Sequence, residues 1–350
     1  MKQDYSRPLD LRHGRIDLNH GAGGRASAQL VAQLFTAELD NPYLRQGNDG
    51  ALLPALPAGQ RLVMATDAHV IAPLFFPGGD IGSLAVHGTV NDVAMLGAQP
   101  LYLAASFILE EGLALAELQR IVASMGAAAK AAGVPVVCGD TKVVERGKGD
   151  GVFISTTGIG AVPEGRAIGG ALARPGDVVL VSGTLGEHGV AVLSQRESLQ
   201  FETAIVSDSQ ALHTLVAAVL DCVPEGSVRV LRDPTRGGLA TALNEVAQQS
   251  GVGITLQEAA IPVLPQVTAA CELLGLDPLY VANEGKLLAV VAPQAADAVL
   301  QAMRAHPAGR AAAVVGSVHE DPQRFVQMCT RLGGRRLVDW LSGEQLPRIC

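Results

Sequence analysis

The 350-residue sequence predicts two α+β or α/β domains followed by a C-terminal tail. Three observations carry that prediction. Apolar segments alternate with Ala-rich amphipathic segments along the whole chain. A Gly/Pro-rich stretch from Pro163-Glu164-Gly165-Arg166 to Ala173-Arg174-Pro175-Gly176 interrupts the alternation near the middle. The last residues, from Ser342-Gly343 to Pro347-Arg348-Ile349-Cys350, show little helical pattern. The expected division is therefore 1–165, 176–336 and a flexible tail at 337–350.

In the first domain, short apolar runs predict strands over 61–66, 101–109, 134–137 and 151–162. Amphipathic or Ala-rich runs predict helices over 26–38, 81–96 and 115–132, with Asp80 placed to cap the second. The second domain opens with a strand over 177–182. Helices are expected over 186–195, 209–220, 237–250, 265–274 and 294–305, with strands over 253–256, 286–292 and 311–318 between them.

Hydrophobic residues make up 48% of the chain and charged residues 17%, enough for a sizeable core. Aromatics are only 3%, so that core is built from Ala, Val, Leu and Ile, and stacking of bases or sugars on aromatic platforms is not the main theme. A net charge of −8 argues against a basic nucleic-acid surface. An acidic protein still binds a nucleotide where Mg²⁺ bridges carboxylates to phosphates. The five cysteines are scattered without a CxxC, which points to neither a zinc ribbon nor a dithiol redox pair. The polar N-terminus lacks an apolar signal core, and no run approaches the ~20 apolar residues of a membrane span. The expectation is a soluble, reduced, cytoplasmic protein without nucleic-acid or membrane partners.

Several motifs carry chemistry. His20-Gly21-Ala22-Gly23-Gly24-Arg25 precedes a predicted helix, where glycines let backbone N–H groups approach an anion. It fits neither a P-loop nor GxGxxG, so a plain turn remains open. Asn48-Asp49, Thr66-Asp67, Asn91-Asp92 and Gly139-Asp140-Thr141-Lys142 place Asp residues at expected strand ends and turns. Gathered together, such carboxylates would suit a Mg-nucleotide site. Singly, each is turn chemistry. His87 and Asn91, four residues apart, share a helix face. Asp233-Pro-Thr-Arg236-Gly237-Gly238 and Asn283-Glu284-Gly285-Lys286 fit either a cleft between the domains or ordinary turns.

The chain ends on Cys350. Gly343 loosens the backbone before it and Pro347 blocks helix. Eight or nine extended residues reach roughly 30 Å at ~3.3 Å each. The thiol is thus a candidate carrier arm; a frayed terminus with an incidental cysteine is the other reading. No GxSxG or HExxH supplies a rival nucleophile or metal site.

Together these motifs resemble the HypE family of hydrogenase maturation factors, from about residue 15 to the closing Pro347-Arg-Ile-Cys350. The carrying segments include Thr66-Asp67-Ala-His69, Phe76-Pro-Gly-Gly-Asp80-Ile-Gly, Gly88-Thr-Val-Asn91-Asp92 and Cys138-Gly-Asp140-Thr-Lys142, besides the glycine loop and the two second-half motifs. Ala22 departs from the family loop, which favours glycine there. That family is related to aminoimidazole ribonucleotide synthetase, selenophosphate synthetase and thiamine-phosphate kinase. The terminal cysteine motif is characteristic of HypE.

The resemblance implies an α+β, two-domain aminoimidazole ribonucleotide synthetase-like fold, a homodimer with a shared β-barrel, and a swinging tail. It implies a lyase that loads a carbamoyl group from the carbamoyltransferase HypF onto Cys350 and dehydrates it with ATP to an enzyme thiocyanate. The cyanide then goes to iron on the HypC–HypD complex, for the [NiFe]-hydrogenase centre. On this reading Asp49, Asp67, Asp92 and Asp140 bind Mg²⁺ and, with Asn91, ATP, while Gly21, Gly23 and Gly24 close over phosphate. Lys142 stabilises the phosphoryl group; Glu284 is the first candidate base and His87 the second. Two rivals stand beside it. One is a kinase-like or selenophosphate synthetase-like enzyme of the same fold; the absence of a cysteine before Cys138 argues against the selenophosphate synthetase. The other is a non-catalytic carrier of the carbamoyl or cyanide group.

Overall fold

The structure, a computed structural model, describes residues 8–46, 48, 50–197, 199, 205–343 and 346–350. Its strands are β1 (Gln60–His69), β2 (Phe75–Phe76), β3 (Gly79–Asp80), β4 (Gln99–Glu110), β5 (Val136–Val144), β6 (Val152–Pro163), β7 (Val178–Val181), β8 (Val228–Arg232), β9 (Gly253–Gln257), β10 (Leu288–Val291), β11 (Ala313–His319), β12 (Val326–Cys329) and β13 (Arg335–Leu337). The α-helices are α1 (Arg25–Leu30), α2 (Thr36–Leu39), α3 (Ile81–Met95), α4 (Leu115–Ala132), α5 (Glu187–Arg196), α6 (His213–Asp221), α7 (Gly238–Ser250), α8 (Pro265–Leu274) and α9 (Ala296–Ala305). A π-helical turn, Val31–Phe35, joins α1 to α2.

The first half forms a four-stranded sheet in the order β1-β6-β4-β5, antiparallel except for the β4–β5 pair. Alternation gives it two unlike faces. Leu103, Ala105, Phe107 and Leu109 point inward to a core with α3 and α4. Leu62 (67% exposed), Met64 (69%) and Ile108 (43%) point outward, so one face of this sheet is open and apolar. α3 is made of small residues and is buried on almost every side. It starts where expected, on Asp80, whose carboxylate accepts from the Gly82 and Ser83 amides at 2.8 and 3.1 Å. A Cβ at Gly82 would lie 2.1 Å from the Ile121 carbonyl oxygen, so glycine is what lets α3 and α4 touch.

The second half forms a seven-stranded sheet in the order β13-β12-β9-β11-β7-β10-β8, in which only β9–β12 is parallel. Both of its faces are covered. Val179, Val181, Val230, Leu288 and Val290 pack with α7, while Leu180, Leu231, Ala289 and Val291 pack with α6 and α9. Ala94 and Met95 of α3 join that second cluster, so the two halves share buried surface.

Three expectations change. β8, β12, β13 and the short β2–β3 hairpin were not anticipated. β1 runs on to His69 and β5 to Val144, so Asp67 and Asp140 lie within strands rather than at their ends. Leu337 belongs to β13, and residues 346–350 are docked rather than hanging free. No helix among the described residues is long and apolar enough to cross a membrane.

Candidate active site

The register of β1 turns Asp67 and His69 toward α3, on the same face as Thr156 and Ile154 of β6. α3 meets them with Gly88, where a Cβ would lie 3.3 Å from Asp67 Oδ2 and 3.1 Å from His69 Cε1. One turn further on, α3 carries Asp92. The segment after β8 adds Asp233 and Arg236, and the turn before β10 adds Glu284.

These groups feel one another strongly. Burial, with Asp233 and Asp67 alongside, raises the Asp92 carboxyl to about 7. Burial also raises Asp233 to about 6. Glu284 is pushed well above the usual carboxylate range, first by burial and then by Asp233, Asp208, Asp67 and Asp92. Its Oε1 has no hydrogen-bond partner among the described residues. Four carboxyls at one place, one with an orphaned buried oxygen, form a site that a hard divalent cation would relieve. Among the described residues, no three His, Cys, Asp or Glu side chains already stand in a metal-holding arrangement.

The terminal thiol reaches this cluster. Cys350 lies within hydrogen-bonding reach of Glu284. Burial raises its thiol far above the ordinary range, Glu284 and Asp67 add to this, and Arg236 opposes it. The tail gets there as an extra strand-like segment, with Ile71 bridging Ile349 and the Val70 amide donating to the Cys350 carbonyl at 3.0 Å. The tail expected to be free is thus seen docked: its carbonyls find donors in the body, Ile349 is buried in the first core, and Arg348 pairs with Asp150 at 2.6 Å.

Beneath Glu284 lies a buried ion cluster. Lys286 Nζ is 3.2 Å from Glu187 Oε1 and 3.6 Å from Asp208 Oδ2. Asp208 Oδ1 accepts from the Glu284 amide at 3.1 Å, which fixes the turn that presents Glu284. A Cβ at Gly285 would stand 1.8 Å from the Asp208 carbonyl oxygen, so this turn admits only glycine. Asn283 is fully buried and accepts from the Gly186 amide at 2.7 Å, tying the same turn to α5.

His87 and Asn91 lie beside the cluster but face another task. His87 Nδ1 pairs with Ser209 Oγ at 2.9 Å, and burial holds its ring neutral, down to about 4. Asn91 donates to the Gln210 carbonyl at 3.0 Å and accepts from the Leu212 amide at 2.7 Å. Both clasp the 209–212 segment of the second half, which also explains why α6 starts at His213 and not at 209.

The remaining site residues assemble elsewhere. The glycine loop lies across β5: a Cβ on Gly21 would be 2.7 Å from the Val143 amide, and Gly23 adopts φ +75. Gly24 caps α1. Gly21, Gly23, Asp140 and Lys142 line one cavity of about 270 Å³ with Leu30, Phe35 and Phe107. Its apolar wall and its glycine-and-lysine rim fit a purine and its phosphates. Lys142 Nζ is 2.8 Å from Asp140 Oδ2 in an exposed pair.

The expected carboxylate quartet is therefore not brought together within one chain. Asp67 sits on β1 and Asp140 on β5, the opposite edge strands, three steps of ~4.8 Å apart. By register Asp67 points to the helix-covered face, and Asp140 and Lys142 to the open one. Asp49 lies outside the described residues. Sequence reasoning left Asp233, Arg236 and Asp208 without site roles. The first two lie in a Gly-rich turn that had been noted, while Asp208 gives no local signal. Lys286, a charge directly before the apolar run of β10, was the legible hint of the ion cluster.

The chain matches the AIR synthase related protein N-terminal domain over residues 47–162 and the corresponding C-terminal domain over residues 174–329. It is 71% identical to the carbamoyl dehydratase HypE of Cupriavidus necator, covering 100% of this chain and 99% of that one. A crystal structure of the hydrogenase maturation protein HypE in complex with ATP superposes with a TM-score of 0.90 at 51% identity, covering 95% of this chain and 99% of that one. A crystal structure of a HypE–HypF complex matches with a TM-score of 0.78 at 47% identity, covering 89% and 99%. With the terminal thiol seated against Glu284 and both domains matched, the chain belongs to the HypE family of carbamoyl dehydratases.

Proposed function

We propose that this protein uses Mg-ATP to dehydrate an S-carbamoyl group on its own Cys350 to S-cyanide, for [NiFe]-hydrogenase maturation. The observation that carries this reading is the seating of the Cys350 thiol, the last residue of the chain, against the buried carboxyl of Glu284. A carrier alone has no use for a base at its docking point.

An amide oxygen is a poor leaving group. The carbamoyl oxygen attacks the γ-phosphoryl group, ADP leaves, and one N–H proton is lost. The second N–H proton then departs as the C–O bond breaks, giving inorganic phosphate and the nitrile. The positioning of donors and base sets the rate of such a sequence. Glu284 takes the proton at nitrogen. Its site suits this work, because burial among acids makes its carboxylate a stronger base than an exposed one. Arg236, close enough to affect the Cys350 thiol, offsets charge that develops on the reacting group. His87, half-buried, neutral and paired with Ser209, is the less suitable base.

The nucleotide is assigned to the cavity beneath the glycine loop, with Lys142 and Asp140 on its phosphate side, and the dimer joint inferred below is assigned the task of bringing those phosphates to the carboxyl cluster. Asp67 and Asp92 are assigned to Mg²⁺, as is Asp49. When bound, the cation supplies charge neutralisation for the phosphates. The HypE relative solved with ATP supports the nucleotide.

We further infer a homodimer in which the open face bearing Leu62, Met64 and Ile108 pairs with its copy, closing a β-barrel. Asp140 and Lys142 point from that same face, so pairing would turn them into the joint rather than toward bulk water. HypF is the proposed carbamoyl donor, since a relative is solved in a HypE–HypF complex. The HypC–HypD complex is the proposed cyanide acceptor, and the cytoplasm the proposed location.

The mechanism is tested with carbamoyl oxygen-18. A single turnover of loaded protein with ATP should place the label in inorganic phosphate. Label recovered in water would rule out phosphorylation of the carbamoyl oxygen.

A further inference from the structure

We propose that Arg196 and His188 are positioning residues for the dehydration step: they grip the tail by its backbone carbonyls and so hold the Cys350 thiol at Glu284. The proposal rests on the dehydratase reading.

The last three residues each offer a carbonyl, and each is taken. The Arg348 carbonyl accepts from the Ala72 amide at 3.2 Å and from Arg196 Nη2 at 2.8 Å. The Ile349 carbonyl accepts from His188 Nε2 at 2.8 Å. The Cys350 carbonyl accepts from the Val70 amide at 3.0 Å. Arg196 Nε also donates to the Ala72 carbonyl at 2.8 Å, so one guanidinium ties the tail to the segment that follows β1.

His188 is built for one orientation. It is fully buried, and Ser207 Oγ sits 2.8 Å from its Nδ1. A carbonyl only accepts, so Nε2 must carry the ring proton, and the Ser207 hydroxyl donates to Nδ1. The Phe76 ring meets the imidazole edge-on at 5.3 Å and fixes its plane. Burial lowers the imidazole to about 4, so it stays a neutral single donor across the working range.

Neither residue is among the groups that perturb the thiol, which are Glu284, Arg236 and Asp67. They act through the tail backbone. Their grip fixes where along the body the final residue falls, and so puts the thiol at Glu284. Release is built in as well. Arg348 holds φ +51, a left-handed conformation that a non-glycine residue keeps only where its surroundings impose it. The docked thiol is half-buried against Glu284, which leaves a carbamoyl donor little room to approach it. Loosening the grip should make the thiol more reactive toward small reagents and slow its dehydration.

The test uses the full-length protein and two readouts. Iodoacetamide alkylation of Cys350, followed on the C-terminal peptide by mass spectrometry, reports release. Single-turnover dehydration of protein preloaded with cyanate, which carbamoylates thiols directly, reports docking. Arg196→Met and His188→Phe should each raise the alkylation rate by about tenfold and lower the dehydration rate by a similar factor, the loss of one or two tail hydrogen bonds. ATP affinity should not move. His188→Gln, which keeps an N–H donor, should restore much of the wild-type behaviour. If alkylation of Cys350 is unchanged in Arg196→Met, the grip is refuted; if both readouts fall together, the role is merely structural and the proposal also fails. Should His188→Phe not fold, Arg196→Met, at a half-buried position, decides alone. A wild-type protein that never dehydrates its carbamoyl group would sink the dehydratase reading and leave the alkylation arm to judge the grip.

Discussion

Replacing Asp92 by Asn should stabilise the ligand-free protein above neutral pH and blunt its response to Mg²⁺. Burial beside Asp233 and Asp67 lifts this carboxyl from 3.8 to about 7. Roughly three pH units at ~1.4 kcal/mol each sets a ceiling of ~4 kcal/mol. Asp233 and Asp67 share the repulsion and Asp92 is only partly buried, so about 2 kcal/mol is the working figure. The sign follows from proton counting. An acid whose pKa is raised by folding holds its proton more tightly in the folded state. Its penalty is absent below 3.8, grows up to about 7 and is complete above that. Asn carries no such penalty. Thermal unfolding at about pH 8 should therefore show the variant melting a few degrees higher, and the gain should shrink as pH falls toward ~4. Mg²⁺ should raise the wild-type midpoint more than that of the variant. A variant that melts lower than wild type at about pH 8, or a gain independent of pH, would refute the reasoning.

Four further outcomes follow from the same geometry. Glu284→Gln should abolish turnover while leaving nucleotide affinity intact, measured by single-turnover dehydration beside ATP titration; full activity would remove Glu284 from the mechanism. Cys350→Ala should accept no carbamoyl group yet lose only about 1 kcal/mol or less in urea unfolding, because the tail's carbonyl bonds, the buried Ile349 and the Arg348–Asp150 pair all remain. Gly285→Ala should cost ~3–5 kcal/mol or prevent folding, since the new methyl would stand 1.8 Å from the Asp208 carbonyl oxygen. Lys142→Met should weaken ATP binding about tenfold without altering alkylation of Cys350, as the lysine belongs to the other cavity.

How far the sequence could be read depends on whether a signal was local. α3 was legible because Asp80 caps it and no proline interrupts it. α8 was legible from Pro265 at its start and Gly275 at its end. β13 was not, for Arg335, Arg336 and Leu337 are all exposed and carry no alternation. Asp67 reads as the end of a strand because carboxylates are rare inside strands. The strand continues because Gly88 across the way leaves room for that side chain. Asp67 and Asp140 do not meet within one chain for a reason of register, which a linear motif does not contain: the two residues lie on opposite faces of one sheet. The glycine loop and Lys142 do meet at one cavity, and Glu284 does lie among the buried carboxyls. The docked tail was invisible, since Gly343 and Pro347 announce freedom while the carbonyls of residues 348–350 announce nothing.

The central claim is that Cys350 is both the acceptor and the place of dehydration. Mass spectrometry of the C-terminal peptide tests it most directly, after incubation with HypF, carbamoyl phosphate and Mg-ATP. The account predicts a carbamoyl adduct on Cys350 that loses one water only when the ATP is hydrolysable. An adduct that persists unchanged in the presence of hydrolysable ATP would contradict it, leaving the protein a carrier.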